Sequence, residues 1–189
     1  MNTLCFNPFP SITTDRTILR QLIIEDGTEI FKLRSDDRVN KFLGRPLTVS
    51  YQEAQLFIRE RNKDIDNNES LYWGIVLKNN PVEIIGTICL WNFSDDHYIA
   101  EIGYELIPDF QGKGIMQEAI LSVIEFGFRD LKLETIAAYS HVQNAKSIKL
   151  LEKCNLTSNH QSKHKWVKEQ EITDMVVYTI NHNTNCKKY

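Results

Sequence analysis

The sequence predicts an α+β fold in which helices cover both faces of one mixed, mostly antiparallel sheet. Three apolar, strand-like runs follow one another in the middle of the chain with short turns between them, which predicts an antiparallel meander. Segments with apolar residues at helical spacing precede and follow this meander. With 189 residues, of which 42% are hydrophobic and 25% charged, the chain has the size and composition of one globular domain. We therefore expect a single domain over residues 1–189.

The first part of the chain predicts one strand and two helices. Apolar residues between turn-forming residues in the segment 12–22 predict a strand that ends near Arg20. A polar start at Glu25 opens a helix that we expect to continue to Pro46, which breaks it. A second helix is predicted over residues 51–64, where apolar residues recur at helical spacing opposite a charged face.

The rest of the chain predicts five strands and two helices. The strands of the meander are predicted at residues 72–77, 84–93 and 98–107. After Pro108 the apolar residues recur at helical intervals as far as Leu131. A strand, a short helix and a final strand are predicted at residues 135–142, 145–153 and 174–180. We expect the polar residues 181–189 to form a frayed tail.

Composition excludes several classes of function. The net charge of −3 and pI near 6.0 provide no broad basic surface for nucleic acid. No run approaches the roughly 18 apolar residues of a membrane span, and residues 1–10 lack the pattern of a signal peptide. The cysteines are far apart and form no C-x-x-C pair, which favours a reduced protein; they are Cys5, Cys89, Cys154 and Cys186. We therefore expect a cytoplasmic protein that binds neither nucleic acid nor membrane.

A glycine-rich turn leads from the third meander strand directly into a helix. Unpaired backbone N–H groups at such a helix start form a cradle for an anion. Gly112 and Gly114 would let the backbone approach a ligand, and Lys113 adds a positive charge, although two glycines are also compatible with a plain turn. A Walker loop would need glycine at Pro108, and a dinucleotide fingerprint would need glycine or alanine at Gln117.

The turn resembles the pyrophosphate-binding motif of the GNAT superfamily of N-acetyltransferases, Gln/Arg-x-x-Gly-x-Gly/Ala. It is matched here by Gln111, Gly112, Lys113, Gly114, Ile115 and Met116, with methionine in the last, usually small, position. From about Phe9 to Ile180 the chain is similar to the RimJ/RimL branch, whose members acetylate the N-termini of ribosomal proteins. This similarity is carried by segments 14–20, 85–88 and 101–106, by Glu118-Ala119, and by Asn144-x-x-Ser147 with Leu151-Glu152-Lys153. The branch continues with x-Gly-Phe, where this chain has Cys154-Asn155-Leu156.

The resemblance implies the GNAT acyl-CoA N-acyltransferase fold and direct transfer of acetyl from acetyl-CoA to a primary amine. It implies that Leu106 and Ile107 pair with the pantetheine arm of coenzyme A and that Asn144 also holds this arm. Ser147 would protonate the departing thiolate. The diphosphate would be bound by Gln111, Gly112, Lys113, Gly114, Ile115 and Met116.

The general base has two candidates on one strand. Glu101 and Glu105 share a face by two-residue periodicity, so either could act directly or through water, or could simply be solvated. An α-amine with a pKa near 7.8 costs about 1 kcal/mol to deprotonate at pH 7, against about 4.6 kcal/mol for a lysine side chain. An α-amine therefore needs little help from a base. Asn144 and Ser147 are also compatible with an ordinary helix N-cap.

The remaining histidines and aromatic residues are predicted to be structural. His160 and His164 have the i, i+4 spacing of helical metal ligands, but their segment is polar and lysine-rich without a Glu or Cys cluster. We therefore expect no metal. Tyr139 and His141 share one face of a strand and could reach the acetyl end of the pocket. Trp166 could border the acceptor site.

Two classes of function are compatible with these residues. The first is an N-acetyltransferase acting on the α-amine of a protein or peptide, with a small amine such as a polyamine, an amino acid or an aminoglycoside as the alternative acceptor. The second is a non-catalytic module that binds acyl-CoA. Acidic residues occur in three short groups, which we interpret as ordinary turn and helix-end charges rather than as a pocket for a polycation; they are Asp36-Asp37, Asp64-Ile65-Asp66 and Asp95-Asp96. The sequence leaves the oligomeric state open.

Overall fold

A computed structural model of the chain describes residues 4–158 and 174–182. The α+β architecture predicted from the sequence is confirmed, because helices pack on a mixed sheet with the strand order β1-β2-β3-β4-β5-β6-β8-β7. The strands are β1 (Ile12–Thr13), β2 (Thr17–Gln21), β3 (Leu71–Leu77), β4 (Gly86–Trp91), β5 (Ile99–Leu106), β6 (Thr135–His141), β7 (Thr157–Ser158) and β8 (Met175–Asn181). The helices are α1 (Gly27–Ser35), α2 (Asp37–Asn40), α3 (Tyr51–Asp66), α4 (Ile115–Arg129) and α5 (Ala145–Lys153).

Two aromatic residues show that helices cover both faces of the sheet. Successive side chains of a strand point to opposite faces. Tyr72 of β3 packs edge-on against Phe57 of α3, with 5.4 Å between ring centroids. Its neighbour Trp73 packs against Phe126 of α4 on the other face, with 5.9 Å between centroids. The sheet is therefore the middle layer, with α3 below and α4 above.

The sheet opens between β5 and β6. Neighbouring strands pair in antiparallel fashion except β5 and β6, which are parallel and pair only from Ile99 to Glu101 on β5. Beyond Glu101, β5 stays paired with β4 as far as Leu106, while β6 stays paired with β8 as far as His141. The two central strands thus part, and the sheet has a wedge-shaped gap at its centre.

The helix predicted to run unbroken to Pro46 is two helices. Asp36 takes an extended conformation, with φ −79° and ψ 115°, and ends α1. Its side chain accepts a hydrogen bond from the backbone N–H of Arg38 and caps α2. A short aspartate side chain that bonds nearby backbone competes with the helix, which is why the helix breaks here. The chain from Lys41 to Ser50 can then fold over the side of the sheet that carries α3.

The strand predicted within residues 12–22 is divided into β1 and β2, which pair with each other in antiparallel fashion. The remaining predicted elements lie close to their expected places. α3 begins at Tyr51 because Ser50 accepts a hydrogen bond from the N–H of Glu53, and α5 begins at Ala145 behind an Asn144 cap. Asn181 was expected in the frayed tail, but it is the last residue of β8. Residues 183–189 lie outside the described part of the chain, and none of the helices that the structure describes is long and apolar enough to cross a membrane.

Candidate active site

The gap between β5 and β6 exposes backbone groups of β5. The N–H of Ile107 donates to the carbonyl of Ile85 at 2.9 Å, and the carbonyl of Ile107 accepts from the N–H of Phe110 at 3.0 Å. Hydrogen bonding to one neighbour alternates along an antiparallel strand, so the amides of Tyr104 and Leu106 point away from β4 and into the gap. The expected partner for a pantetheine arm is therefore suitably placed at Leu106. Ile107 instead has protein partners for both of its backbone groups.

The glycine-rich turn begins α4 without a side-chain cap. Gly112 and Gly114 both have φ +76°, and Gly114 occupies the N-cap position, where no side chain bonds the first amides of α4. A Cβ atom at Gly112 would meet nothing within 4 Å. Open space in front of uncapped helix amides fits a diphosphate, because these amides are strong donors with a partial positive charge.

The other residues of the predicted motif have distinct places in this turn. Ile115 and Met116 are buried, each at 5% exposure, so the methionine side chain lies in the core rather than in the cradle. Gln111 donates from its side-chain amide to the carbonyl of Leu106 at 2.9 Å and closes the turn. The ammonium of Lys113 lies 5.6 Å from the ring centroid of Phe110. The amide of Gln111 donates to the carbonyl of Pro108 at 3.0 Å, so the backbone available around the open space is that of positions 112–116.

An ion pair that the sequence did not predict ties the turn to Arg16, the residue just before β2. Arg16 donates from Nε to Glu118 Oε2 at 2.6 Å and from a terminal nitrogen to the carbonyl of Lys113 at 2.9 Å. Glu118 also accepts from the Thr14 hydroxyl and from the Arg16 amide at 2.8 Å. Burial raises the pKa of Glu118, but the hydrogen bonds from Thr14 and Arg16 outweigh it and hold the pKa below its usual value. The turn is thus tied to an ionised carboxylate.

Ser147 meets a tyrosine across the gap. Asn144 caps α5, its side-chain oxygen accepting from the N–H of Ser147 at 3.2 Å, so the ordinary N-cap arrangement is present. The Ser147 hydroxyl lies 2.8 Å from the hydroxyl of Tyr104. Burial raises the pKa of Tyr104 to about 12, although the bond to Ser147 lowers it. The two hydroxyls form a neutral pair in which a proton can be passed on.

Glu101 lies where β5 and β6 part. Burial raises the pKa of this carboxyl group to about 7, against hydrogen bonds from Asn92 and Trp91 that lower it; the Asn92 contact measures 3.5 Å. Burial, together with the charge of Glu101, raises the pKa of Tyr139 to about 12. The Tyr139 hydroxyl is buried and has no hydrogen-bond partner among the described residues. A buried carboxyl that titrates near neutrality is suited to accept a proton.

Glu105, the second predicted base, is held in an ion pair. Its two oxygens accept from the terminal nitrogens of Arg45 at 2.6 Å each, and Arg34 lies 3.9 Å away. The glutamate side chain is 9% exposed. A carboxylate gripped on both oxygens is a poor acceptor for a third proton donor, so the geometry favours Glu101 over Glu105.

Tyr139 and His141 lie on the same face of β6 as Ala137, the residue that pairs with Glu101. The ring of His141 lies 5.3 Å from that of Phe42, and its Nδ1 accepts from the N–H of Gln143 at 3.1 Å. His160, His164 and Trp166 lie outside the described residues. Within residues 4–158 and 174–182, no group of three His, Cys, Asp or Glu side chains could hold a metal ion.

A family model described as the acetyltransferase (GNAT) domain matches residues 16–157. The chain belongs to the GNAT acetyltransferase family. It is an acetyl-CoA-dependent acetyltransferase, and the matched range contains the gap, the turn and the Tyr104–Ser147 pair.

Individual GNAT proteins resemble this chain in sequence or in fold. The uncharacterized N-acetyltransferase YoaA of Bacillus subtilis is 35% identical over 143 residues, 76% of this chain and 80% of YoaA. The structure of RimL, a ribosomal L7/L12 alpha-N-protein acetyltransferase in complex with coenzyme A, superposes with a TM-score of 0.77 at 18% identity, covering 91% of this chain and 98% of RimL. The microcin C7 self-immunity acetyltransferase MccE, in complex with acetyl-CoA and AMP, gives a TM-score of 0.74 at 23% identity over 88% and 93% of the two chains. At these identities the two structures share the GNAT fold with this chain.

Sequence reasoning missed Arg16 and Tyr104 as site residues. Both lie in segments that carry the family resemblance, but their partners Glu118 and Ser147 are 102 and 43 residues away. Strand alternation alone could have placed Tyr104 on the face opposite Glu101 and Glu105. No local pattern identifies the partner of either residue.

Proposed function

We propose that this GNAT enzyme acts as a single domain of the RimJ/RimL type and acetylates the α-amine of a peptide or protein N-terminus. The observation that carries the proposal is the pKa of about 7 at Glu101. An α-ammonium group with a pKa near 7.8 loses its proton to water at pH 7 at a cost of about 1 kcal/mol, so the neutral amine is available and Glu101 can take its second proton as it attacks. The same loss from a lysine-like ammonium, with a pKa near 10.4, costs about 4.6 kcal/mol. These costs support an α-amine as the acceptor.

Acetyl-CoA supplies the activated acetyl group as a thioester. The uncapped amides of residues 112–116 would bind its diphosphate, with Arg16 holding the carbonyl of Lys113 in place. The N–H of Leu106 would pair with the pantetheine arm, in the manner of an added strand, and Asn144 would lie beside that arm at the start of α5. These contacts orient the thioester in the gap between β5 and β6.

The protons then move through groups on opposite faces of β5. Glu101 accepts the proton that the amine loses when it attacks. Ser147 donates a proton to the departing thiolate and recovers one from Tyr104, whose hydroxyl lies 2.8 Å away. After coenzyme A leaves, Tyr104 takes a proton back from water and Glu101 releases one to water, so both groups return to their starting states. No covalent enzyme intermediate is needed, and burial raises the pKa values of Cys89 and Cys154 to about 12, so neither is a nucleophile at neutral pH.

The test is release of free coenzyme A thiol with a panel of acceptors. We expect release above the rate of hydrolysis with peptides that have free N-termini, and none with the same peptides after N-terminal acetylation. Lysine side chains and polyamines should react at least tenfold more slowly at pH 7. Thiol release with polyamines alone would replace the proposal with a small-amine acetyltransferase. Tight binding of acetyl-CoA without release by any acceptor would leave the non-catalytic module.

A further inference from the structure

Three arginines converge on the face of the sheet that carries Glu101. Arg34 of α1 stacks over the ring of Phe57, with its guanidinium carbon 3.9 Å from the ring centroid. Arg61 of α3 lies 5.4 Å from the same ring. Arg45, in the segment after α2, reaches Glu105 of β5 from the other side. We call Arg34, Arg45 and Arg61 the arginine cluster.

The arginine cluster has more positive charge than its acidic partners balance. Its ion pairs within the described residues involve two carboxylates, Glu105 with Arg45 and Asp64 with Arg61 at 3.1 Å. Arg34 reaches Glu105 only at 3.9 Å, and its Nε donates to the Thr48 hydroxyl at 3.3 Å. Within the part of the chain that the structure describes, three guanidinium groups are paired with two carboxylates, and Arg34 is the arginine whose carboxylate contact is longest, at 3.9 Å.

Among the described residues, the arginine cluster lacks hydrogen-bond acceptors as well as negative charge. Burial and the charge of Arg45 lower the pKa of Arg34, since the guanidinium is partly removed from water beside a like charge. Nε of Arg61 is buried and has no hydrogen-bond partner in the described ranges. Arg34 and Arg45 are nevertheless 16% and 21% exposed, so a ligand can reach them. A bound anion would relieve the repulsion and fill donors that are arranged for a carboxylate.

The position of the arginine cluster relative to Glu101 sets where such an anion would lie on the acceptor. Glu101 and Glu105 are four residues apart on one face of β5, which corresponds to about 13 Å along the strand. An extended peptide spans this distance with about four residues. A peptide whose α-amine lies at Glu101 would therefore bring one of its first side chains to the level of Arg34.

We propose that the acceptor is a peptide with an acidic side chain within its first four residues, and that Arg34 binds this carboxylate. The proposal rests on the proposed function, because it takes the acceptor to be an N-terminal α-amine. It also predicts discrimination against polyamines, since a second cationic group on the acceptor would face the arginine cluster. Charge complementarity of this kind selects partners by repelling the wrong ones as well as by binding the right one.

The experiment compares peptides that differ in one residue. The α-amine and length are fixed, and Asp, Asn or Lys is placed in turn at the second, third and fourth positions. We expect kcat/KM for the Asp peptide to exceed that for the Asn peptide about tenfold in at least one position, with the Lys peptide poorest. The difference should lie mainly in KM, and it should shrink when salt is raised, because the arginines are partly solvent-exposed.

Variants assign the preference to the arginine. Arg34→Gln should lose the Asp preference, so that kcat/KM becomes equal for its Asp and Asn peptides, and Arg34→Lys should retain part of the preference. Arg129→Gln, on the exposed side of α4, is the matched control and should behave as wild type. Thermal melts establish that each variant is folded; if Arg34→Gln is not, Arg34→Lys and the salt dependence carry the test.

The outcomes separate this inference from the proposed function. Equal rates for Asp, Asn and Lys peptides, or an Asp preference that survives in Arg34→Gln, would overturn the acidic-peptide inference and leave α-amine acetylation intact. Turnover of polyamines with no turnover of any peptide would overturn both. Turnover of free aspartate and glutamate but of no peptide would keep the carboxylate contact and reject the peptide.

Discussion

The hydroxyl groups of Tyr104 and Ser147 lie 2.8 Å apart and join β5 to α5 across the central gap of the sheet. The family resemblance indicates Ser147 alone as a proton donor. A serine hydroxyl that gives up its proton must recover one, and Tyr104 is the group in contact with it. The pair therefore has the arrangement of a short relay in which the tyrosine supports the serine.

The relay predicts that removal of either hydroxyl lowers turnover and that removal of both does little more. Ser147→Ala and Tyr104→Phe should each reduce kcat about tenfold and leave KM for acetyl-CoA nearly unchanged, because the groups act on the departing thiolate. A double-mutant cycle in kcat measures their dependence on each other. Tyr178→Phe, whose hydroxyl bonds Glu152 instead, serves as control. Fully multiplicative effects of the two substitutions would show that the hydroxyls act separately.

The pKa of about 7 at Glu101 predicts the acid side of the pH–rate profile. A base is active when deprotonated, so kcat/KM should rise as pH increases through about 7. The acceptor α-amine, with a pKa near 7.8, must also lose its proton, so the wild-type profile should rise with a slope approaching two at low pH. Glu101→Gln should lose about a hundredfold in rate and rise with a slope of one. The exposed control Glu125→Gln should keep both ionisations. If the profile of Glu101→Gln still rises with a slope of two, the second ionisation belongs to a group other than Glu101.

The same carboxyl predicts how stability depends on pH. Its pKa in the folded protein is raised above the value near 4.3 of an unfolded chain, so the folded state binds this proton more tightly. Its contribution to stability is full below pH 4.3 and is lost as pH rises through about 7. The melting temperature of the wild type should therefore fall relative to that of Glu101→Gln between pH 5 and pH 8. A difference that stays constant over this range would mean that Glu101 is ionised throughout.

The open space at Gly112 predicts the effect of a carboxylate in the cradle. Gly112→Glu should abolish binding of acetyl-CoA in a calorimetric titration, because a negative charge would stand where the diphosphate binds. Gly44→Glu is a matched control: Gly44 also has a positive φ, +59°, with nothing within 4 Å of an added Cβ. Both substitutions place a side chain in the left-handed region, so they carry a similar backbone strain. Loss of binding in both would indicate strain rather than a clash of charges.

The brace between Arg16 and Glu118 predicts a specific loss of affinity for acetyl-CoA. Arg16→Ala should raise KM for acetyl-CoA about tenfold with little change in kcat, since the arginine holds the carbonyl of Lys113 rather than a reacting group. The Arg16 side chain is 49% exposed, so stability should change by no more than about 1 kcal/mol. Arg38→Ala, which breaks an exposed ion pair with Asp36, should leave KM unaltered. If KM rises similarly in Arg38→Ala, the loss of affinity in Arg16→Ala is a general effect of surface charge and not of the contact with Lys113.

The elements that could be predicted from the sequence are those whose signals are local. The cap at Asn144 and the turn at Gly112 and Gly114 each depend on a few consecutive residues, so α5 and the start of α4 were expected where they occur. The break at Asp36 was missed because an aspartate that leaves a helix to bond its neighbours looks, in the sequence, like one that stays in it. Apolar periodicity continued across the break and favoured one helix.

The contacts that define the site could not be predicted because they join distant parts of the chain. Glu105 and Arg45 are 60 residues apart, and only the folded chain shows that this carboxylate is paired with an arginine, whereas Glu101 forms no ion pair with any described residue. Periodicity had placed both glutamates on one face and left them equivalent. The difference in their surroundings is the product of packing, which also raises the pKa of Glu101.

The parting of β5 from β6 has a consequence for which acyl groups the enzyme can use. An unpaired strand edge usually lies at the rim of a sheet, where another polypeptide can pair with it. The unpaired edge of β5 lies instead between β4 and β6. The gap would suit a narrow, extended molecule. The backbone of β5 would then contact coenzyme A rather than the acyl group that coenzyme A carries. If the carrier binds in this gap as proposed, its recognition does not depend on the acyl chain, and the space beside Glu101 limits the length of that chain.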